Sequence, residues 1–197
     1  MKKIVFLLSI VLFVNVSFAQ KKKPAAKKAT TEKTSSTKLD NLSAEVKGKT
    51  FQLSITEKGK PADAIIVKDI NDNILPTDIK LSSFTANGTK LYLLQWTEKT
   101  NTKTDLKTED IKTVYSVIYE IANKKQVFSN TEKTNNIVEK VFLDKLKNAS
   151  ETQEKVRREG FVFTLNADGS VSQKNKTQEN KWVYDAAKID FVDAKKK

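Results

Sequence analysis

The 197-residue chain has no cysteine and no histidine, and only five glycines, three prolines and two arginines. Each shortage removes a class of chemistry. Without histidine there is no imidazole to act as general base, without cysteine there is no thiolate nucleophile, and neither is present to ligate a metal. Ser-His-Asp and Cys-His hydrolases are excluded, and no disulfide can staple the fold. Five glycines leave no glycine-rich phosphate loop. An enzyme would have to use paired carboxylates or a Ser-Lys dyad, and the 24 acidic residues are scattered among lysines with no pair standing apart. Two stretches that could suggest a cation loop fail on inspection. Asp69-Ile70-Asn71-Asp72-Asn73 alternates oxygen ligands, but Ile74 stands where a calcium loop needs glycine and Lys80 where it needs glutamate. Asn166, Asp168 and Ser170 converge at an Asp-Gly turn that conformation alone explains. No cofactor and no metal are expected, and the chain reads as non-enzymatic.

Lysine, by contrast, is abundant, and its placement is uneven. The formal net charge is +12. Residues 20–40 hold seven lysines against Glu32 and Asp40, and Lys195 to Lys197 close the chain, so residues 41–194 are nearly neutral. The N-terminus begins Met1-Lys2-Lys3, continues through an apolar block over residues 4–14, and reaches Ser17-Phe18-Ala19-Gln20. A positive start, an apolar run and small residues at the two recognition positions describe a signal peptide cut after Ala19. The apolar run is shorter than the roughly 20 residues a spanning helix needs. The expected organisation is a signal peptide at 1–19, a disordered basic linker at 20–40, a β-rich domain at 41–194 and a basic tail at 195–197. The protein is expected to be exported, periplasmic or secreted, and not a lipoprotein, since no cysteine is available for a lipid. The linker cannot bury enough apolar surface to offset backbone ordering. Its lysines suit an anionic envelope surface; nucleic acid is not an expected partner, because no aromatic is interleaved for base stacking.

Beyond Leu42 short apolar runs alternate with turn residues. Phe51, Leu53 and Ile55 share one face of a strand. Ala64 to Ile70, Ile79 to Phe84 and Leu91 to Trp96 follow, the last two joined by Asn87-Gly88, a strong hairpin signal. The polar stretch 97–108 reads as a loop or the solvent end of a hairpin. Residues 110–121 are the best-patterned stretch, with Tyr115, Val117, Tyr119 and Ile121 on one face and Val114, Ser116, Ile118 and Glu120 on the other. Helical spacing through Ile111, Val114, Tyr115, Ile118 and Ala122 is a rival, disfavoured because β-branched residues lose χ1 freedom in a helix. Ser150-Glu151-Thr152-Gln153 has the spacing of a capping box and Gly160 that of a helix stop, which predicts one short surface helix over residues 151–159. The fold class is all-β, an antiparallel β-barrel or β-sandwich of about 9 to 11 short strands.

Phe163, Asp168-Gly169, Trp182, Tyr184-Asp185 and Ile189 follow an order that resembles the strand-turn-strand run of small lipocalin-like barrels in exported bacterial proteins. Gly48-Lys49-Thr50-Phe51 is similar to the opening strand of those domains, with Phe where Trp is usual; the Asp-Gly hairpin comes later here than in that family. The texture also resembles exported proteins of the Bacteroidota type, a group with no function to transfer. The lipocalin resemblance implies a carrier of a small apolar ligand. Candidate contact residues are Trp96 and Trp182 for an apolar ligand, and the adjacent Arg157 and Arg158, whose forks suit carboxylate or phosphate. The leading expectation is a binding or structural component of the cell envelope. The carrier is the alternative, and a carboxylate-based hydrolase of envelope glycans comes third.

Overall fold

The computed structural model describes residues 36–70 and 74–196. The expected signal peptide, the linker up to residue 35, the Asn71-Asp72-Asn73 break and Lys197 lie outside the described residues. Thirteen strands form three antiparallel sheets in chain order. The first sheet contains β1 (Thr37–Leu39), β2 (Leu42–Lys47), β3 (Thr50–Glu57) and β4 (Lys60–Asp69). The second contains β5 (Thr77–Ala86), β6 (Thr89–Lys103), β7 (Lys107–Glu120), β8 (Lys125–Phe142) and β9 (Ser150–Gly160). The third contains β10 (Val162–Leu165), β11 (Val171–Lys174), β12 (Glu179–Asp185) and β13 (Asp190–Asp193). A single 3-10 turn, Ala194–Lys196, follows.

The second sheet is the middle layer. On one face Tyr92, Leu94, Trp96, Val117 and Tyr119 pack against Leu42, Phe51, Leu53 and Ile55 of the first sheet. On the other, Leu91, Leu93, Ile118 and Val127 pack against Val171, Tyr184 and Phe191 of the third. Burial on both faces explains why residues 110–121 lack a clean polar-apolar alternation and could mimic a helix. The stretch is strand, with the two faces assigned as its alternation predicts. Trp96 anchors the first core, edge-on to Phe51 at 5.2 Å and stacked on Tyr115 at 4.8 Å. Phe128 anchors the second, with Trp182 at 5.9 Å and Phe191 at 5.4 Å. Aromatic pairs of this kind add about 0.5 to 1.5 kcal/mol each beyond area burial.

Of the two expected all-β alternatives the sandwich is the one that forms, because the three sheets do not close into a barrel. Two expectations are corrected. The strands among the described residues number thirteen, and β6, β7 and β8 run to 15, 14 and 18 residues. Residues 151–159 form no helix; they lie in β9, paired with β8 from Glu132↔Gly160 to Phe142↔Ser150. The apparent capping partners resolve differently, with Gln153 Nε2 donating to Glu151 Oε1 at 2.5 Å, two residues along one face of a strand. Continuous backbone pairing with an eighteen-residue neighbour outweighs a local capping preference. Strand pairing also begins before residue 41, inside the stretch expected to be linker, because Thr37–Leu39 pairs with β2.

Turn chemistry matches the sequence. Asn87 and Gly88 both take positive φ, 45° and 76°, as a tight hairpin requires. The β7–β8 corner is gathered by Glu120, whose carboxylate accepts the Ala122 and Asn123 amides at 3.1 and 2.8 Å. Gly169, at φ 77°, sits where the third sheet touches the end of β5: a Cβ there would lie 2.5 Å from the Thr85 carbonyl oxygen and 2.9 Å from Ala86 Cα. Gly169→Ala should therefore destabilise the fold by about 3 kcal/mol or more, since backbone must move. Gly59→Ala, equally positive in φ but with nothing within 4 Å, should cost about 1 kcal/mol. Urea unfolding of the two variants checks this; equal losses would remove the contact from the account.

Tyr119 is 2% exposed, and burial pushes its phenol up to about 12. An unfolded tyrosine ionises near 10, so the folded state holds its proton longer than the unfolded state. The associated stability, roughly 2 to 3 kcal/mol, is complete below about pH 10 and is lost as pH rises toward 12. Urea midpoints measured from pH 9 to 11.5 should fall, and Tyr119→Phe should flatten much of the fall. A variant that falls as steeply as the parent would rule this tyrosine out.

Candidate functional site

The outer sheets cover only half of the middle one. Beyond the row Thr97–Val114–Glu132–Gly160, strands β6 to β9 continue as a paired four-stranded arm. The arm extends roughly 20 Å along β6 and 35 Å along β8, at about 3.4 Å per residue. The sequence permits this because its β-branched and long polar residues suit a strand wet on both faces. Thr97, Thr100, Thr102 and Thr108 lie in the stretch read as a loop or hairpin end, and the hairpin end is what forms, closing where Thr104 N donates to the Lys107 carbonyl at 2.8 Å.

The two faces of the arm are electrostatically unlike. On the face continuous with the Trp96 core, three of the four cations are paired: Lys107 with Glu109 along β7 at 3.0 Å, and across strands Lys133 with Glu159 at 3.5 Å and Lys155 with Glu139 at 3.6 Å, Arg157 being the fourth. Glu109 also accepts from Asn135 Nδ2 at 3.1 Å. Lys107, then Asn135, hold its carboxyl below the usual range, with desolvation opposing and the nearby Arg157 charge adding a smaller pull. Beneath this lattice Ile137 is 2% exposed, in the same face as the aliphatic stems of its charged neighbours.

The opposite face carries Lys99, Lys103, Lys112, Lys140 and Arg158, and none of these five is in an ion pair among the described residues. Lys99, Lys112, Thr134 and Arg158 occupy one cross-strand row. Two lysines directly opposite one another repel. Acid is present on this face, at Asp110 and Glu132, each two residues along from the row, and at Glu154 further out on β9; Asp110 is engaged by Asn101 Nδ2.

Where the row reaches Arg158 it meets a groove of about 610 Å³, walled by Glu132, Glu159, Gly160 and Val162 on one side and, on the other, by Lys174 at the end of β11 and Lys176 in the turn that follows it. Lys174 is paired with Glu179 at 3.1 Å. A buried polar chain fixes this wall. Trp182 Nε1 donates to Gln173 Oε1, Gln173 Nε2 to Asn130 Oδ1 and Asn130 Nδ2 to the Phe161 carbonyl, each at 2.8 Å. Gly160, at φ 80°, makes the bend from arm to third sheet; a Cβ there would stand 2.0 Å from the Thr131 carbonyl oxygen.

The residues singled out in the sequence are dispersed. Trp96 is 4% exposed in the first core, donating to the buried Glu98 at 2.9 Å, which Lys68 neutralises at 2.8 Å. Trp182 belongs to the second core, across the middle sheet. Arg157 and Arg158, neighbours in the chain, point to opposite faces of the arm, as adjacent strand residues must. Only Arg158 joins the row. Lys99, Lys112 and Lys176 were not foreseen; the period-two placement of Lys99, Asn101 and Lys103 was the available signal. Asn166, Asp168 and Ser170 do meet, and their contacts serve the turn: Asp168 Oδ1 accepts from the Ser170 amide at 2.9 Å and Asn166 Nδ2 donates to Ser170 Oγ at 2.9 Å.

The facing lysines predict a measurable effect. Lys112→Gln should raise thermal stability slightly in low salt, by no more than about 1 kcal/mol, and added salt should stabilise the parent more than the variant. Scanning calorimetry at two salt concentrations decides it, and a destabilised Lys112→Gln would show that the repulsion is absent. No known protein family, curated protein or solved structure matches the chain.

Proposed function

We propose that the protein is an exported, non-enzymatic binding domain of the cell envelope whose partner meets the uncovered half of the middle sheet. The observation that carries this reading is the contrast between the arm's faces: one pairs three of its four cations with acids, Arg157 being the fourth, and the other leaves all five of its cations without an ion pair among the described residues. A surface whose cations are mostly paired with acids has less to offer an anionic partner. One whose like charges face each other gains by meeting opposite charge. The two cores hold the root of the arm rigid, so the surface is preorganised and binding need not order it. The lysine-rich linker would add loose, salt-sensitive attraction to an anionic envelope surface.

The experiment has two parts. Intact-mass measurement of the protein recovered from its host should correspond to a chain beginning at Gln20. The same processed chain, mixed with envelope fragments of the host and sedimented, should pellet in low salt and be released as salt rises. A chain retaining Met1, or one that stays in the supernatant at every salt concentration, would overturn the reading.

A further inference from the structure

We infer that the row Lys99–Lys112–Thr134–Arg158, extended across the groove by Lys176, is the binding track for a linear acidic polysaccharide. This deepens the reading of the arm as a binding surface and rests on it. The row crosses four strands at about 4.8 Å per step, so its ends lie roughly 14 Å apart. Its cations are spread along a line and do not converge. A small anion needs donors aimed at one point; a line of cations at strand spacing suits a chain whose charges repeat at about the length of a sugar ring. Lys176 is exposed, without an ion pair among the described residues, and lines the same groove as Arg158. A chain leaving the row at Arg158 therefore enters a groove of about 610 Å³ with a second cation on its far wall.

The groups beside the cations favour a glycan over other polyanions. The next row outward is Asn101–Asp110–Asn136–Val156, so amides and a carboxylate, which can donate to and accept from sugar hydroxyls, lie alongside the charges. Thr134 interrupts the cationic row with a hydroxyl. Val156 and Val162, 54% and 52% exposed, flank Arg158 with aliphatic surface for sugar C–H faces. On this face of the arm the aromatic is Phe142, at the far end of β8, so nothing near the row can stack a nucleic-acid base. An acidic peptide bound as an added strand would use the edge of β9 and would not depend on cations standing in the middle of the sheet.

The test measures binding of the processed chain to polygalacturonate and to dextran sulfate, which separate carboxylate from sulfate recognition. Neutral dextran, polyglutamate and phosphatidylglycerol vesicles are run in parallel. Lys99→Gln/Lys112→Gln/Arg158→Gln should weaken binding to at least one acidic polysaccharide tenfold or more, with circular dichroism unchanged. Lys107→Gln/Lys133→Gln/Lys155→Gln removes the same charge from the other face of the same arm and should leave affinity within about twofold. Equal loss in the two variants would make binding a matter of net charge and overturn the track. So would tighter binding of polyglutamate or vesicles, equal binding of neutral dextran, or no acidic polysaccharide bound. Sedimentation with envelopes that survives the first triple substitution would sink the track while sparing the arm as a binding surface; failure to sediment at all would sink the broader reading.

Discussion

The pairing of β6 with β7, dry on both sides, is the constraint on which the rest of the molecule depends. Leu94 is fully buried against the first sheet and Leu91 against the third, and Ile118 beside them is equally inaccessible. A hydrogen-bonded pair of strands with apolar side chains on both faces cannot be soluble until both are covered, and the chain supplies one cover from each side of it in sequence. Residues before β5 form the first sheet and residues after β9 the third, so neither cover requires a crossover. The largest polar groups that burial traps in the cores are supplied with partners: Glu98 takes both the Trp96 indole and the Lys68 ammonium, and Asn130 is held between Gln173 and the Phe161 carbonyl. A buried charge is tolerable only on such terms.

The same constraint explains why the arm exists in two electrostatic versions. Past Thr97 and Val114 there is no cover, and the sheet continues by backbone hydrogen bonds and cross-strand side-chain pairs alone. On the Trp96 side those pairs are complementary and close over Ile137. On the other side the register sets Lys99 against Lys112, although a shift in composition of a single residue would relieve the repulsion. Strand pairing fixes register for the whole arm at once, so this juxtaposition cannot be relaxed by local sliding without turning the core residues of the same strands outward. The cationic row is thus held in place by the packing of Trp96, Tyr119 and Ile118 some distance away.

Much of the fold was legible because turns and core strands carry local signals. Asn87-Gly88, Asp168-Gly169 and the corner after Ile121 declare themselves through residues that accept positive φ or gather backbone amides. The alternation of Tyr115, Val117 and Tyr119 against Ile118 assigned both faces of β7 correctly. The arm was harder to read because the usual evidence for a strand is a buried face, and a strand wet on both sides has none. Residues 97–108 and 151–159 are polar apart from Leu106 and Val156, so one read as a loop or hairpin end, and the other borrowed a helix from Ser150, Gln153 and Gly160. Gly160 did mark a backbone at positive φ, but the turn it serves is the bend into the third sheet. The candidate site suffered the same blindness. Arg157 and Arg158 looked like a pair, and only pairing with Asn135 and Thr134 separates them onto opposite faces.

The free edge of the middle sheet sharpens the choice between face and edge as the working surface. β9 is an eleven-residue edge strand, and every residue in it except Gln153 is exposed. Such a strand invites pairing with any extended chain, including another copy of itself. Here it carries Glu151, Glu154, Lys155, Arg157, Arg158 and Glu159, three acids and three bases in eleven residues, which offers an incoming strand desolvation without an apolar return. The outer edge of the first sheet is protected differently, by Pro61 at its start and by register shifts along β4 that break its regularity. Both edges are thus built to discourage strand addition. With its edges blunted and, among the described residues, five cations without an ion pair on one broad face, the arm supports the proposed reading of that face, and not an edge, as the binding surface; on that reading the partner would run along the cationic row, perpendicular to the strands.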